Sequence, residues 1–120
     1  MASATDTIYA LSSGSLPAGV AVLRLSGSKA LSSLSMLVDG KLPEPRIAAL
    51  RTIRNRNNEV IDQALVLQFP APRSFTGEDC VEIQVHGGKA VVDAIFNELQ
   101  TLHGLRPAEA GEFSKRAYDN

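Results

Sequence analysis

The chain has 120 residues, 44% of them hydrophobic, with two Tyr, four Phe and no Trp, which is the size and make-up of a single domain with an aliphatic core. Its formal net charge is −1, from 12 Lys and Arg against 13 Asp and Glu, so no overall field draws it to nucleic acid or to an anionic membrane, and any RNA contact has to be local. One cysteine excludes an internal disulfide, and two histidines far apart in sequence leave no ligand set for a dedicated zinc site, which together favour a reducing, cytoplasmic setting.

The first ten residues lack a basic end followed by a sustained apolar core, and no run approaches bilayer-spanning length, so the chain reads as soluble and unexported. Residues 7–12 read as a short strand, and the Ser, Gly and Pro content of 13–19 as a flexible loop. Residues 20–25, Val-Ala-Val-Leu-Arg-Leu, are nearly continuously apolar and predict a central strand covered on both faces. From 28 to 38, Ala30, Leu31, Leu34, Leu37 and Val38 recur at helical spacing, with Ser28 as the expected N-cap and Asp39-Gly40 closing the element. Leu42-Pro43-Glu44-Pro45 cannot continue a helix. Strands at 47–54 and 59–69 around a turn at 55–58 then read as a hairpin.

After a stiff loop at 70–74, the segment from Phe75 to Lys89 sets a two-faced strand against a glycine-broken helix start. With period two, Val81, Ile83 and Val85 share one face, while Cys80, Glu82, Gln84 and His86 share the other, which predicts a polar, groove-lining surface. Gly87-Gly88 allow a sharp turn or a close backbone approach, and Val91, Ala94, Ile95, Leu99 and Leu102 mark a helix over 89–102, stopped at His103-Gly104. A last short strand is expected at 105–108. Residues 111–120 read as the start of another helix, with Phe113, Ala117 and Tyr118 on one side and no stop signal, so the sequence is read as cut short of its continuation. The element order predicts an α+β fold with a mixed or largely antiparallel sheet and two main helices, in one domain spanning 1–120.

Arg24 and Glu82 stand out because each interrupts a strand that otherwise reads as buried, and a buried charge needs a partner. One reading is a structural ion pair. The other is a pocket for a planar polar ligand, in which a carboxylate accepts two parallel N–H bonds from an amidine-like ring edge and a guanidinium holds a carboxylate or carbonyl. Spacing does not choose between them. His86 has no evident nucleophile or orienting partner and reads as a hydrogen-bonded structural group, so no catalytic residue is assigned. Gly87-Gly88-Lys89-Ala90 is not a nucleotide loop, since Ile83 stands where the first glycine belongs and Ala90 lacks the magnesium-binding hydroxyl. Cys80 reads as a small buried residue. Arg51, Arg54 and Arg56 form a basic turn, normally solvated, with a weak claim to phosphate contact.

Five motifs in order carry a family resemblance: Thr5-Asp6-Thr7-Ile8-Tyr9-Ala10; Gly19 through Gly27 with its Leu23-Arg24-Leu25-Ser26-Gly27; Lys41-Leu42-Pro43-Glu44-Pro45-Arg46; Ser74-Phe75-Thr76-Gly77-Glu78-Asp79 through His86-Gly87-Gly88; and Gly111-Glu112-Phe113-Ser114-Lys115-Arg116-Ala117. Together they resemble the N-terminal domain of the MnmE (TrmE) family of tRNA modification GTPases over essentially the whole chain. The resemblance implies a homodimerising domain similar in fold to the folate-binding part of glycine-cleavage T-proteins, taking 5-formyl- or 5,10-methylene-tetrahydrofolate. Whole members of that family carry a helical domain and a GTPase, which binds GTP with Mg and K ions. They work with the FAD-dependent protein MnmG at C5 of the wobble uridine of certain tRNAs. The GTPase loop and the C-terminal cysteine motif are not among these residues, so this chain alone is not expected to be an enzyme.

The family's folate contacts fall on the arginine of the Leu-Arg-Leu-Ser-Gly motif and the glutamate in the strand after Gly-Glu-Asp, which match Arg24 and Glu82. A third, a lysine just past Asn120, falls beyond the last residue, and its absence is expected to weaken binding by this chain. The sequence departs from the family at Ala108-Glu109-Ala110-Gly111, where many members have Ala-Arg-Pro-Gly, and in the loop from Ser12 to Ala18. The expectation is thus a tetrahydrofolate-binding, dimerising module without membrane association. A purely structural dimerisation scaffold is the alternative, and an RNA-docking turn at Arg51 to Arg56 a third.

Overall fold

The computed structural model describes residues 5–12, 19–86 and 88–120. Most of the expected serine-glycine loop, 13–18, and Gly87 of the glycine pair lie outside the described residues. The elements run β1 (Thr7–Leu11), β2 (Val20–Ser26), α1 (Ala30–Leu37), β3 (Ala49–Arg54), β4 (Val60–Phe69), β5 (Cys80–His86), α2 (Lys89–Leu99), β6 (Leu105–Pro107) and α3 (Glu112–Asp119). The strands form one sheet in the order β3-β4-β5-β2-β1-β6. Among the described residues only the β1–β6 pair is parallel, because the connection from β5 through α2 returns the chain to the far edge beside β1. The fold is α+β with a mixed six-stranded sheet and three helices, as the element order predicts.

Period-two alternation divides the sheet into two unlike faces. On one, Ala21, Leu23 and Leu25 of β2 and Val81, Ile83 and Val85 of β5 are buried beneath Leu34 and Leu37 of α1 and Val92, Ile95 and Leu99 of α2. This is the aliphatic core. The other face carries Val22, Arg24 and Ser26 opposite Gln84, Glu82 and Cys80 in register. It is uncovered toward β3 and β4, where Val20, Leu50 and Leu65 stand exposed. Toward β1 it faces α3 across an open hollow. The expectation that β2 is covered on both faces is therefore corrected: full burial holds at its Ser26 end, while Val20 is open to solvent.

The ends of the helices differ from expectation for local reasons. The N-cap of α1 is Lys29, with no side-chain cap of its own. Its backbone N–H is satisfied by Thr7 Oγ1 at 2.9 Å, so a threonine from β1 does the work expected of Ser28. The backbone makes this approach at Gly27, whose φ is +139° and whose Cα faces Thr7 so closely that a Cβ would sit 2.7 Å from the Thr7 Cα. The regular turns of α2 stop at Leu99, three residues short of the periodic pattern, while Leu102 still packs against the core. In α3 the buried residue is Arg116, and Tyr118, expected on the packed side, is 90% exposed. Among the described residues no helix is long and apolar enough to cross a membrane.

Candidate functional site

β2 and β5 are antiparallel neighbours in the middle of the sheet, and their register makes Arg24 and Glu82 direct cross-strand partners. Both side chains project from the face opposite the core. Arg24 Nη2 lies 3.7 Å from Glu82 Oε1, with the side chains 32% and 21% exposed. That separation is an ion pair without a hydrogen bond. Among the described residues neither side chain makes any hydrogen bond to protein, which leaves two carboxylate oxygens and the guanidinium fork with their capacity unused.

Both charges border a cavity of about 110 Å³ whose other walls are Phe69, Phe75, Cys80 and Val81. The Arg24 guanidinium carbon sits 5.7 Å from the Phe75 ring centroid, within reach of a cation–π attraction. Arg24 also borders a second hollow, of about 380 Å³, which runs between β1 and α3 past Ala10, Ser12, Glu109 and Phe113. It stands where the two hollows meet. The smaller one has room for the ring end of a ligand but not for a whole drug-sized molecule, whose pockets typically measure about 300–1,000 Å³.

The loop that presents Phe75 is fixed from below by a polar network. Ser26 Oγ donates to Glu78 Oε1 at 2.7 Å and lies 2.7 Å from Thr76 Oγ1, which in turn meets the Cys80 thiol at 3.1 Å. The Ser74 hydroxyl donates to the Glu78 carbonyl, and Asn120 Nδ2 donates to the Thr76 carbonyl at 2.9 Å. Arg116 donates to Glu78 Oε1 and to Glu112 Oε2, both at 3.0 Å. Arg106 grips Glu112 with two bonds of 2.6 and 2.7 Å and reaches Asp6 at 3.1 Å. The Arg106 hydrogen bonds, helped by the Glu109 backbone N–H and by Arg116, hold the Glu112 carboxyl down to about 2 despite its burial. The same carboxylate pushes Arg106 above its ordinary range.

Other residues singled out in the sequence lie away from these hollows or are otherwise engaged. His86 is at the exposed end of β5, where its Nδ1 is 2.9 Å from Asp62 Oδ1 and its backbone N–H donates to Asp62 Oδ2 at 2.9 Å. It is the hydrogen-bonded group expected. Cys80 is 3% exposed and free. Arg51 donates to the Lys41 carbonyl, Arg54 to Asp39 and the Asn58 carbonyl, and the Arg56 guanidinium lies 3.6 Å from Glu98. Arg51 and Arg54 thus spend donors within the fold, while the Arg56 guanidinium is 66% exposed and only ion-paired.

Sequence reasoning passed over Phe69 and Phe75 as site walls and the Arg116, Glu78 and Ser26 network behind them. A signal existed for the second: Arg116 follows Glu112 by one helical turn, the spacing at which opposite charges on a helix meet.

A family model described as "GTP-binding protein TrmE N-terminus" matches residues 7–120. A protein named tRNA modification GTPase MnmE from Agrobacterium fabrum is 64% identical over 120 residues, covering 100% of this chain and 27% of its own length. Its counterpart from Rhizobium meliloti is 66% identical over 116 residues, 97% of this chain and 26% of that protein. One from Brucella anthropi is 56% identical over 120 residues. The chain therefore spans about a quarter of the length of these relatives.

Proposed function

The chain belongs to the TrmE N-terminal family, and we propose that it is the tetrahydrofolate-binding, homodimerising domain of a tRNA modification GTPase. One observation carries the ligand half of this reading: the Arg24 and Glu82 side chains have no hydrogen-bond partner among the described residues and share a ring-sized hollow. In this reading the Glu82 carboxylate accepts two N–H bonds from the amino-pyrimidine edge of a reduced pterin, and Arg24 holds a carbonyl or carboxylate of the same ligand. The one-carbon group, at the formyl or methylene level, is supplied by the folate itself. This chain's residues bind and orient it.

The hollow beside Glu82 encloses only part of such a ligand, so the remainder has to lie in the neighbouring hollow or against a second subunit. The exposed Val20, Leu50 and Leu65 on the uncovered sheet face are apolar surface that association would bury. In the whole protein this domain would serve the modification of C5 of the wobble uridine together with MnmG, in the cytoplasm, while GTP with its Mg and K ions would be handled by another domain.

Calorimetric titration of 5-formyl-tetrahydrofolate into the wild-type chain, Arg24→Ala and Glu82→Ala tests the assignment, with a chain extended past Asn120 in parallel. Binding by the wild type and at least tenfold loss in each variant is the expected result, and equal binding by all three removes it. The 3.7 Å contact between Arg24 and Glu82 favours a second reading, a structural dimerisation scaffold in which the two charges only face each other. A dimer in sedimentation that binds no folate, even in the extended chain, selects that reading.

A further inference from the structure

Phe75 is 58% exposed, although burying a side chain of this size is ordinarily worth about 1.5–3 kcal/mol. It is not left out by looseness. Its neighbour Ser74 is bonded to Glu78, Thr76 is fully buried and bonded to Ser26, and the Gly77 N–H donates to the Ser74 carbonyl at 3.4 Å. A ring held out on an anchored loop is a prepared surface. The ring borders the cavity that contains Glu82, with Phe69 as a second aromatic wall, and the Arg24 guanidinium 5.7 Å from its centroid steadies it.

We propose that Phe75 is the stacking wall that selects for a flat ring in the Glu82 hollow, a proposal that rests on the folate reading above. The chemistry follows from what Glu82 leaves undone. A carboxylate that accepts two parallel N–H bonds lies in the plane of the ring it reads and fixes only the edge, so the faces of the ring still have to be taken out of water. Val81 and Cys80 offer little flat area. Phe75 is an aromatic wall of the hollow that the Arg24 guanidinium already orders, so the ligand does not have to immobilise it on binding. A π-face rewards planarity: a fully oxidised pteridine is flat throughout, while its tetrahydro form is flat only in the pyrimidine half.

Folic acid and tetrahydrofolate have the same tail and differ only in the ring, so they are the probes, titrated under anaerobic conditions into the wild type, Phe75→Tyr, Phe75→Leu and Phe75→Ala. Thermal melts verify that each variant folds. Phe75→Tyr should bind within about twofold of the wild type, and Phe75→Leu about tenfold more weakly, the size of one aromatic stack. Phe75→Leu should also weaken folic acid at least threefold more than tetrahydrofolate, a change in ratio that a merely structural role would not produce. Wild-type-like binding by Phe75→Leu and Phe75→Ala, or an equal loss for both ligands, overturns the proposal and leaves Glu82 and Arg24 standing. Absence of binding to the wild type refutes the folate reading itself and this proposal with it.

Discussion

Arg116 of α3 and Glu78 of the loop before β5 are joined at 3.0 Å across a separation of 38 residues, with the arginine side chain only 7% exposed. The pair links the last helix to the segment that presents Phe75. Glu78 is also bonded to Ser26, two residues from Arg24 on the same face of β2. A shift of α3 would therefore reach both sides of the Arg24 and Glu82 hollow through two polar contacts, Arg116 to Glu78 and Glu78 to Ser26, without any change in the aliphatic core on the opposite face of the sheet.

Removing the Arg116 guanidinium leaves the Glu78 and Glu112 carboxylates facing each other with one cation fewer. Breaking a buried ion pair from one side costs about 3–5 kcal/mol, and Arg116→Ala should lower the urea-unfolding free energy by about that amount. Arg116→Lys should recover only part of it, because an ammonium cannot offer the planar fork that meets two carboxylates at once. A loss below about 1 kcal/mol for Arg116→Ala would mean that α3 is held by its apolar contacts.

Glu112 gives the fold an acid limit. Its carboxyl is lowered from 4.5 to about 2 by Arg106 first, then the Glu109 N–H and Arg116. A depressed carboxyl contributes stability that is complete above the unfolded value near 4.5 and is lost as pH falls toward 2. With the side chain 10% exposed, the contribution is on the order of 3 kcal/mol. Melts of wild type and Glu112→Gln between pH 6 and pH 2 should converge as the pH falls, the variant starting lower and changing less. Parallel curves would refute the role.

Much of this was legible in the sequence where one physical rule acted alone. Alternation along 80–86 gave the two faces of β5, and the turn chemistry at Asn55 to Asn58 placed the β3–β4 hairpin. Arg24 and Glu82 were conspicuous because charges interrupted apolar strands, and the register sets them side by side. What escaped was decided by partners distant in sequence. Nothing local in Ser28 or Lys29 announces that Thr7 will cap α1. Phe75, read as part of a motif, takes its place as a wall only when the 74–79 loop folds back over Ser26. In α3 the apolar spacing holds for the half-buried Phe113 and Ala117 but not for Tyr118, and it does not announce that the buried position is Arg116, which is paired with Glu112 and Glu78.

Gly27 is where the start of α1 depends on the absence of a side chain. At φ +139° an L-residue is strained, and a Cβ would meet the Thr7 backbone at 2.7 Å. Overpacking and the backbone strain each cost about 1–3 kcal/mol. Gly27→Ala should therefore destabilise the chain by roughly 3 kcal/mol in urea unfolding and speed amide exchange at Lys29, whose N–H needs Thr7 Oγ1. Stability within about 0.5 kcal/mol of wild type would show that β1 yields at no cost.

The two readings of the Arg24 and Glu82 pair separate when folding and binding are measured on the same variant. The contact is 3.7 Å long, lacks a hydrogen bond and joins side chains 32% and 21% exposed, so its net worth to the fold should be about 0–1 kcal/mol. Glu82→Gln keeps the shape and one acceptor but loses the charge and the second oxygen that a paired N–H edge requires. It should unfold within about 1 kcal/mol of wild type and bind tetrahydrofolate at least tenfold more weakly. The opposite pattern, a loss of several kcal/mol in stability with unchanged ligand affinity, would make Glu82 a structural counter-charge and leave the cavity beside it without its reader.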